Sequence, residues 1–166
     1  MNYSIRDALP GDLPRIEEIY AYAREFMAQT GNPNQWGKTN PPHDWLVEDI
    51  RQHLLHVIED EKGIHGVFYF YIGEDPTYGS IEDGAWHCEE PYGTIHRIAS
   101  DGSGGILRTA VKFGSGLIDH IRIDTHHDNI IMQKAVAKLG FVRSGIIHLA
   151  NGSPRIAYEL DVSKEK

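Results

Sequence analysis

Between Tyr92 and Phe113 a strand-like run, YGTIHRIAS, breaks into Asp101-Gly102-Ser103-Gly104-Gly105 and resumes as a helical pattern at Ile106. No other stretch constrains the fold as tightly. Glycines let a backbone approach a ligand closely, and a helix start presents unpaired amides at the positive end of its dipole. Such a loop suits a pyrophosphate, and the same glycines also suit a plain strand-to-helix turn. Two named phosphate motifs are absent. The Gly-Lys-Ser/Thr of Walker A is missing, and the pattern G-x-G-x-x-G started at Gly102 meets Leu107 where its third glycine belongs.

The rest of the chain alternates strands and helices. Ser4 to Ala8 reads as a strand stopped by Pro10-Gly11, with Asp12 as N-cap of a helix to about Ala28. Apolar residues at Leu13, Ile16, Ile19, Tyr20, Ala23, Phe26 and Met27 carry its 3.6-residue period. Thr30 to Pro42 is breaker chemistry around Trp36, and a second helix runs from His43 or Asp44 to about His53. Leu54 to Ile58 and Ile64 to Ile72 read as an antiparallel hairpin. Gly73 to Pro91 has no period and is long for a connection, which predicts a binding or lid role. Beyond the helix from Ile106 to about Phe113 come a strand, Ile121 to Thr125, and a helix, about Asn129 to Leu139, closed by Gly140. Val142 to Leu149 and Arg155 to Val162 flank Asn151-Gly152, a hairpin turn. The order β-α-α-β-β-β-α-β-α-β-β predicts a mixed α/β sheet in a single domain over residues 1–166.

Composition narrows the function classes. At 166 residues the chain can bury a core without staples. Its net charge of −8 disfavours nucleic acid, which needs a basic field. A lone cysteine, Cys88, excludes an internal disulfide framework and a cysteine-rich metal centre. With no basic leader at the start and no run of about 18 apolar residues, a cytoplasmic protein with no membrane span is expected.

Taken together, IRDALPGDLPRIEEIYAYAREFM, IHRIAS with its glycine loop, and IRIDTHHDNIIMQKAVAKLGF resemble the GNAT-superfamily N-acetyltransferases over nearly the whole chain. The resemblance implies that the fourth strand splays from the fifth and that acetyl-CoA, a co-substrate, lies in the cleft. It further implies that the backbone of Ile98, Ala99 and Ser100 pairs with pantetheine. Gly102, Gly104 and Gly105 would meet the pyrophosphate, with Arg108 or Lys112 supplying charge, and Asn129 would contact the cofactor. Two departures stand out. The usual Arg/Gln-x-x-Gly-x-Gly/Ala loop is matched only by Gly105-Ile106-Leu107, and the tyrosine that many members use as general acid is replaced by Val136.

Direct attack of a neutral amine on a thioester needs orientation, a base and a polarised carbonyl. His96 is the first candidate base, because histidine titrates near working pH, and Glu90 beside Glu89 is a second. A histidine hydrogen-bonded inside the sheet and a solvated loop are their structural alternatives. Cys88 as an acyl carrier is disfavoured against a ternary complex. Trp36, Tyr78, Asp83 and Trp86 are expected to wall the acceptor site, acids there attracting a cationic amine; loop aromatics that merely cap the core are the alternative. Asp124, His126, His127 and Asp128 fall near the cleft mouth. No metal is expected there, since adjacent side chains on an extended segment point apart.

The expected acceptor is therefore the primary amine of a small molecule or peptide. Another acyl acceptor, a longer acyl-CoA, a non-catalytic acyl-CoA-binding module and an unrelated nucleotide-binding domain remain alternatives. Exposed C-terminal strands are compatible with a homodimer.

Overall fold

In the computed structural model, which describes residues 2–165, the chain runs β1 (Ser4–Asp7), α1 (Leu13–Gln29), α2 (His43–Arg51), β2 (Leu55–Asp60), β3 (Gly63–Ile72), β4 (Gly93–Ser100), α3 (Ile106–Ser115), β5 (His120–Thr125), α4 (Ile130–Lys138), β6 (Val142–His148) and β7 (Pro154–Asp161). This is the order read from the sequence. The seven strands form one sheet, β1-β2-β3-β4-β5-β7-β6, antiparallel except where β4 meets β5.

Side-chain alternation builds a core on each face of the sheet. Val57 and Val67 pack with Ile16, Ile19 and Tyr20 of α1 and Leu46 and Ile50 of α2. Their neighbours Ile58 and Phe68 pack on the other face with Ile106 and Ala110 of α3 and Val136 of α4. Among the described residues no helix is long and apolar enough to cross a membrane.

Local differences have physical reasons. Asp12 stands at the N-cap position of α1, but its side chain accepts no amide of that helix. Its carboxylate accepts from the Leu9 amide at 2.8 Å and pairs with Arg6 at 2.8 Å, so it closes the 3₁₀ turn Pro10–Asp12 instead. Gly73 to Pro91 is a fastened segment and not a free lid. Glu82 and Ile146 exchange two backbone hydrogen bonds, and the His87 amide donates to Glu159 at 2.7 Å. Glu159, 3% exposed, also meets His120 at 2.9 Å and Ser144 at 2.5 Å. These bonds tie the segment to β5, β6 and β7.

Two irregularities in the sheet position the site. β4 pairs with β5 only at Gly93–Ile121 and Thr94–Arg122, then parts from it. On its other edge, β4 pairs Ala99 with Val67 and His96 with Tyr69, so Arg97 and Ile98 face the single residue Phe68. This is a β-bulge. Arg97 takes the left-handed φ of +51° there, which is costly for a residue with a side chain. Its guanidinium pairs with Asp49 at 3.0 Å and lies 4.6 Å from the Tyr69 ring centroid. The Tyr20 hydroxyl donates to its carbonyl at 2.6 Å, so side chains on three elements hold the bulge in place.

Candidate active site

Where β4 leaves β5, two cavities open side by side and share Met27, Ile98, Asn129 and Met132 as a common wall. The larger, about 430 Å³, is lined by His96, Trp36, Tyr69, Asp75, Asp124 and Arg155 among others. The smaller, about 360 Å³, runs along Ile98, Ala99 and Ser100 to Gly102 and Leu107. Past Thr94 the β5-facing edge of β4 has no strand partner among the described residues, so its backbone is available to a bound chain.

His96 projects from β4 into the larger cavity. Its Nε2 lies 2.7 Å from Asp75 Oδ2, and its Nδ1 lies 3.7 Å from Asp124 Oδ2. Burial pushes the Asp75 carboxyl up, but the His96 bond and two bonds from Thr77 outweigh this and hold it at about 2. Asp75 is therefore an ionised acceptor, so Nε2 carries the hydrogen and neutral His96 keeps its lone pair on Nδ1. Asp124 accepts from the Tyr78 hydroxyl at 2.7 Å. Burial and that neighbouring carboxylate push the Tyr78 pKa well up, which keeps the phenol a donor. The arrangement can take a proton at Nδ1 and stabilise the resulting cation between two carboxylates.

In the glycine loop, Gly102 and Gly105 adopt φ of +99° and +79°. The Gly102 amide donates to Ser100 Oγ at 3.0 Å, so in this geometry it is not offered to a ligand. Gly104 and Gly105 carry no such amide bond among the described residues, and they run into the unpaired first turn of α3. Arg108 is exposed in that turn and makes no ion pair among the described residues. Asn129 caps α4 by accepting from the Met132 amide at 3.0 Å, while its Nδ2 donates to Gln35 Oε1 at 3.0 Å. Gln35 thereby joins the loop between α1 and α2 to the wall shared by both cavities.

The expected acceptor wall is only partly assembled. Trp36 lines the larger cavity, its ring against Tyr20. Tyr78 is buried behind the cavity and reaches it through Asp124. Trp86 lies outside the lining, stacked on the Arg122 guanidinium at 3.8 Å, with its indole N–H donating to the Tyr78 carbonyl. Asp83 is exposed and pairs with Arg143 at 2.8 Å, and Glu90 is exposed, its carbonyl meeting His120 and its amide donating to Cys88 Sγ at 3.4 Å. These three sit away from the cavity because their segment is fastened onto β6 and β7. Asp75, Tyr69 and Arg155 take their places in the lining, and no sequence pattern marks them.

His126, His127 and Asp128 form a turn rather than an extended segment, so the expectation that their side chains diverge does not hold. The two imidazoles stack at 4.3 Å, and ligand atoms of all three residues lie within 4.8 Å of one another. His126 Nδ1 accepts the Asp128 amide at 3.0 Å, which closes the turn.

No family model matches the sequence, and no curated protein matches it. Solved structures do. A GNAT-family acetyltransferase from Streptococcus agalactiae 2603 superposes with a TM-score of 0.84 at 28% identity, over 96% of this chain and 95% of that one. A Salmonella typhimurium protein solved with its cofactor acetyl-CoA gives 0.60 at 14% identity, over 96% and 94%. The N-acetylglutamate synthase of Neisseria gonorrhoeae, complexed with coenzyme A and N-acetyl-glutamate, gives 0.63 at 15%, over 97% of this chain and 35% of that one. The chain has the GNAT acetyltransferase fold, and the likeness read from its sequence extends over the whole architecture.

Proposed function

We propose that the protein is an N-acetyltransferase that moves acetyl from acetyl-CoA to a primary amine of a small molecule or peptide. One observation carries this reading. The parted strands β4 and β5 open two adjoining lobes that share a wall, with a proton acceptor in one lobe and a glycine loop leading out of the other.

The unpaired β4 edge at Ile98, Ala99 and Ser100 suits the amide groups of pantetheine, and the smaller lobe is apolar beside it. The amides of Gly104, Gly105 and the first turn of α3, with Arg108 close by, suit a pyrophosphate. Bound acetyl-CoA supplies an activated thioester. His96 Nδ1 takes the proton that the attacking amine loses, and Asp75 holds the ring and its tautomer through Nε2. Val136 is fully buried, so α4 offers no general acid at that position. A thiol of pKa about 8.5 is a competent leaving group without one.

The test is thiol release from acetyl-CoA across a panel of amines, read beside calorimetric binding of acetyl-CoA. Binding with amine-dependent release is expected. Tight binding with no turnover on any amine supports a binding module instead, and no binding of any coenzyme A species contradicts both.

A further inference from the structure

Arg155 lies at the start of β7 with 6% of its surface exposed, and it lines the same larger cavity as His96 and Asp75. A guanidinium has five N–H donors, and here three bonds are made, all to neutral oxygens. These are Ser153 Oγ at 2.6 Å, the Pro154 carbonyl at 2.9 Å and the Gln35 carbonyl at 3.2 Å. Among the described residues no carboxylate pairs with it. The other arginines that line or flank the cleft differ: Arg97 has Asp49, and Arg122 sits between the Trp86 and Tyr92 rings within reach of Glu159. Of the charged groups near Arg155, Asp124 favours its cationic form, and His126 feels its positive charge.

A buried guanidinium without a counter-ion is unfavourable unless something completes it. The same cavity also carries the Asp75 and Asp124 carboxylates around His96, and Asp124 lies on β5, the strand beside the one that holds Arg155. One cavity therefore holds two carboxylates beside the proton acceptor together with a cation that, among the described residues, no carboxylate pairs with. We propose that the acceptor is a small amine bearing a carboxylate, of the α-amino acid class, with its carboxylate on Arg155 and its ammonium drawn toward Asp75 and Asp124. A planar carboxylate matches the remaining Nε–H and Nη–H donors in a forked pair. A dianionic phosphate fits less well, because the two aspartates repel it more strongly. This assignment rests on the transferase reading above.

The experiment uses the wild-type chain with coenzyme A or acetyl-CoA and compares amino acids with their amides and decarboxylated amines. Calorimetry reads binding to the coenzyme A complex, and thiol release reads turnover. The carboxylated members are expected to bind and turn over about 10- to 100-fold better, the worth of a charged hydrogen-bond pair. Arg155→Met is expected to abolish that ratio and Arg155→Lys to retain part of it, which a role confined to holding Gln35 would not produce. The proposal is overturned if amides or decarboxylated amines match their acids, if no carboxylated amine binds, or if folded Arg155→Met keeps the preference. Failure to bind any coenzyme A species would instead remove the transferase reading on which it rests.

Discussion

Asp75 Oδ2 and His96 Nε2 stand 2.7 Å apart although 21 residues separate them in sequence. The aspartate comes from the fastened segment after β3 and the histidine from the strand that loses its neighbour. The pair defines which imidazole nitrogen is free to accept a proton, and it fixes the ring at the junction of the cleft's polar groups.

Replacing His96 with Asn keeps a polar side chain but removes the proton acceptor. The value of kcat/KM should fall by about 10²- to 10⁴-fold, as for loss of a positioned general base. Acetyl-CoA affinity, read by calorimetry, should change little. Unchanged kcat/KM would remove His96 as the base.

Asp75→Asn tests positioning. An amide in that place no longer stabilises the imidazolium, so kcat/KM should drop about 10- to 100-fold. The loss should fall on kcat and not on acetyl-CoA affinity read by calorimetry, because the pair lies in the lobe that holds His96. Unchanged kcat/KM in a folded variant would leave Asp75 a packing role alone.

Gly105→Val places a β-branched residue at φ +79° where α3 begins. The left-handed conformation costs about 1–2 kcal/mol for such a residue. The loop should rearrange and the Kd for coenzyme A rise by about tenfold or more. Unchanged affinity in a folded variant would refute the loop assignment.

The Glu159 cluster predicts an acid limit to stability. Burial raises the Glu159 pKa, but bonds from His120, the His87 amide and Ser144 outweigh it and lower the group from its ordinary 4.5 to about 2. Between those values the unfolded chain binds more protons than the folded one, so stability rises with pH. The contribution is complete above about 4.5 and is lost as pH falls toward 2. Glu159→Gln should cost about 3 kcal/mol near neutral pH by leaving buried donors short of a charge. It should also flatten the dependence of Tm on pH across that window. Melting curves of the two proteins from pH 2 to 7 check both.

The parts of this design that follow a period were legible in sequence. Alternation set the strands, the 3.6-residue pattern set α1, and the glycines of 102–105 set the turn into α3. Asn129 was readable as a helix start. The acid–base pair was only half readable: His96 lies on a periodic strand, whereas Asp75 sits in a segment whose shape is set by long-range bonds. Glu159, Ile146 and Arg143 draw residues 73–91 onto β6 and β7, which carries Asp83, Trp86 and Glu90 away from the cleft and leaves Asp75 inside it. Arg155 reads as an ordinary residue after a hairpin turn. Only the path of the loop holding Gln35 and Trp36 shows that it is buried against the cavity without a carboxylate.

A crystal structure of the coenzyme A complex tests the central claim most directly. Pantetheine is expected along Ile98, Ala99 and Ser100, the pyrophosphate on the amides of Gly104, Gly105 and the start of α3, and the thiol opening into the lobe that holds His96. Coenzyme A seated outside the gap between β4 and β5, or with its thiol in a lobe remote from His96, would contradict it.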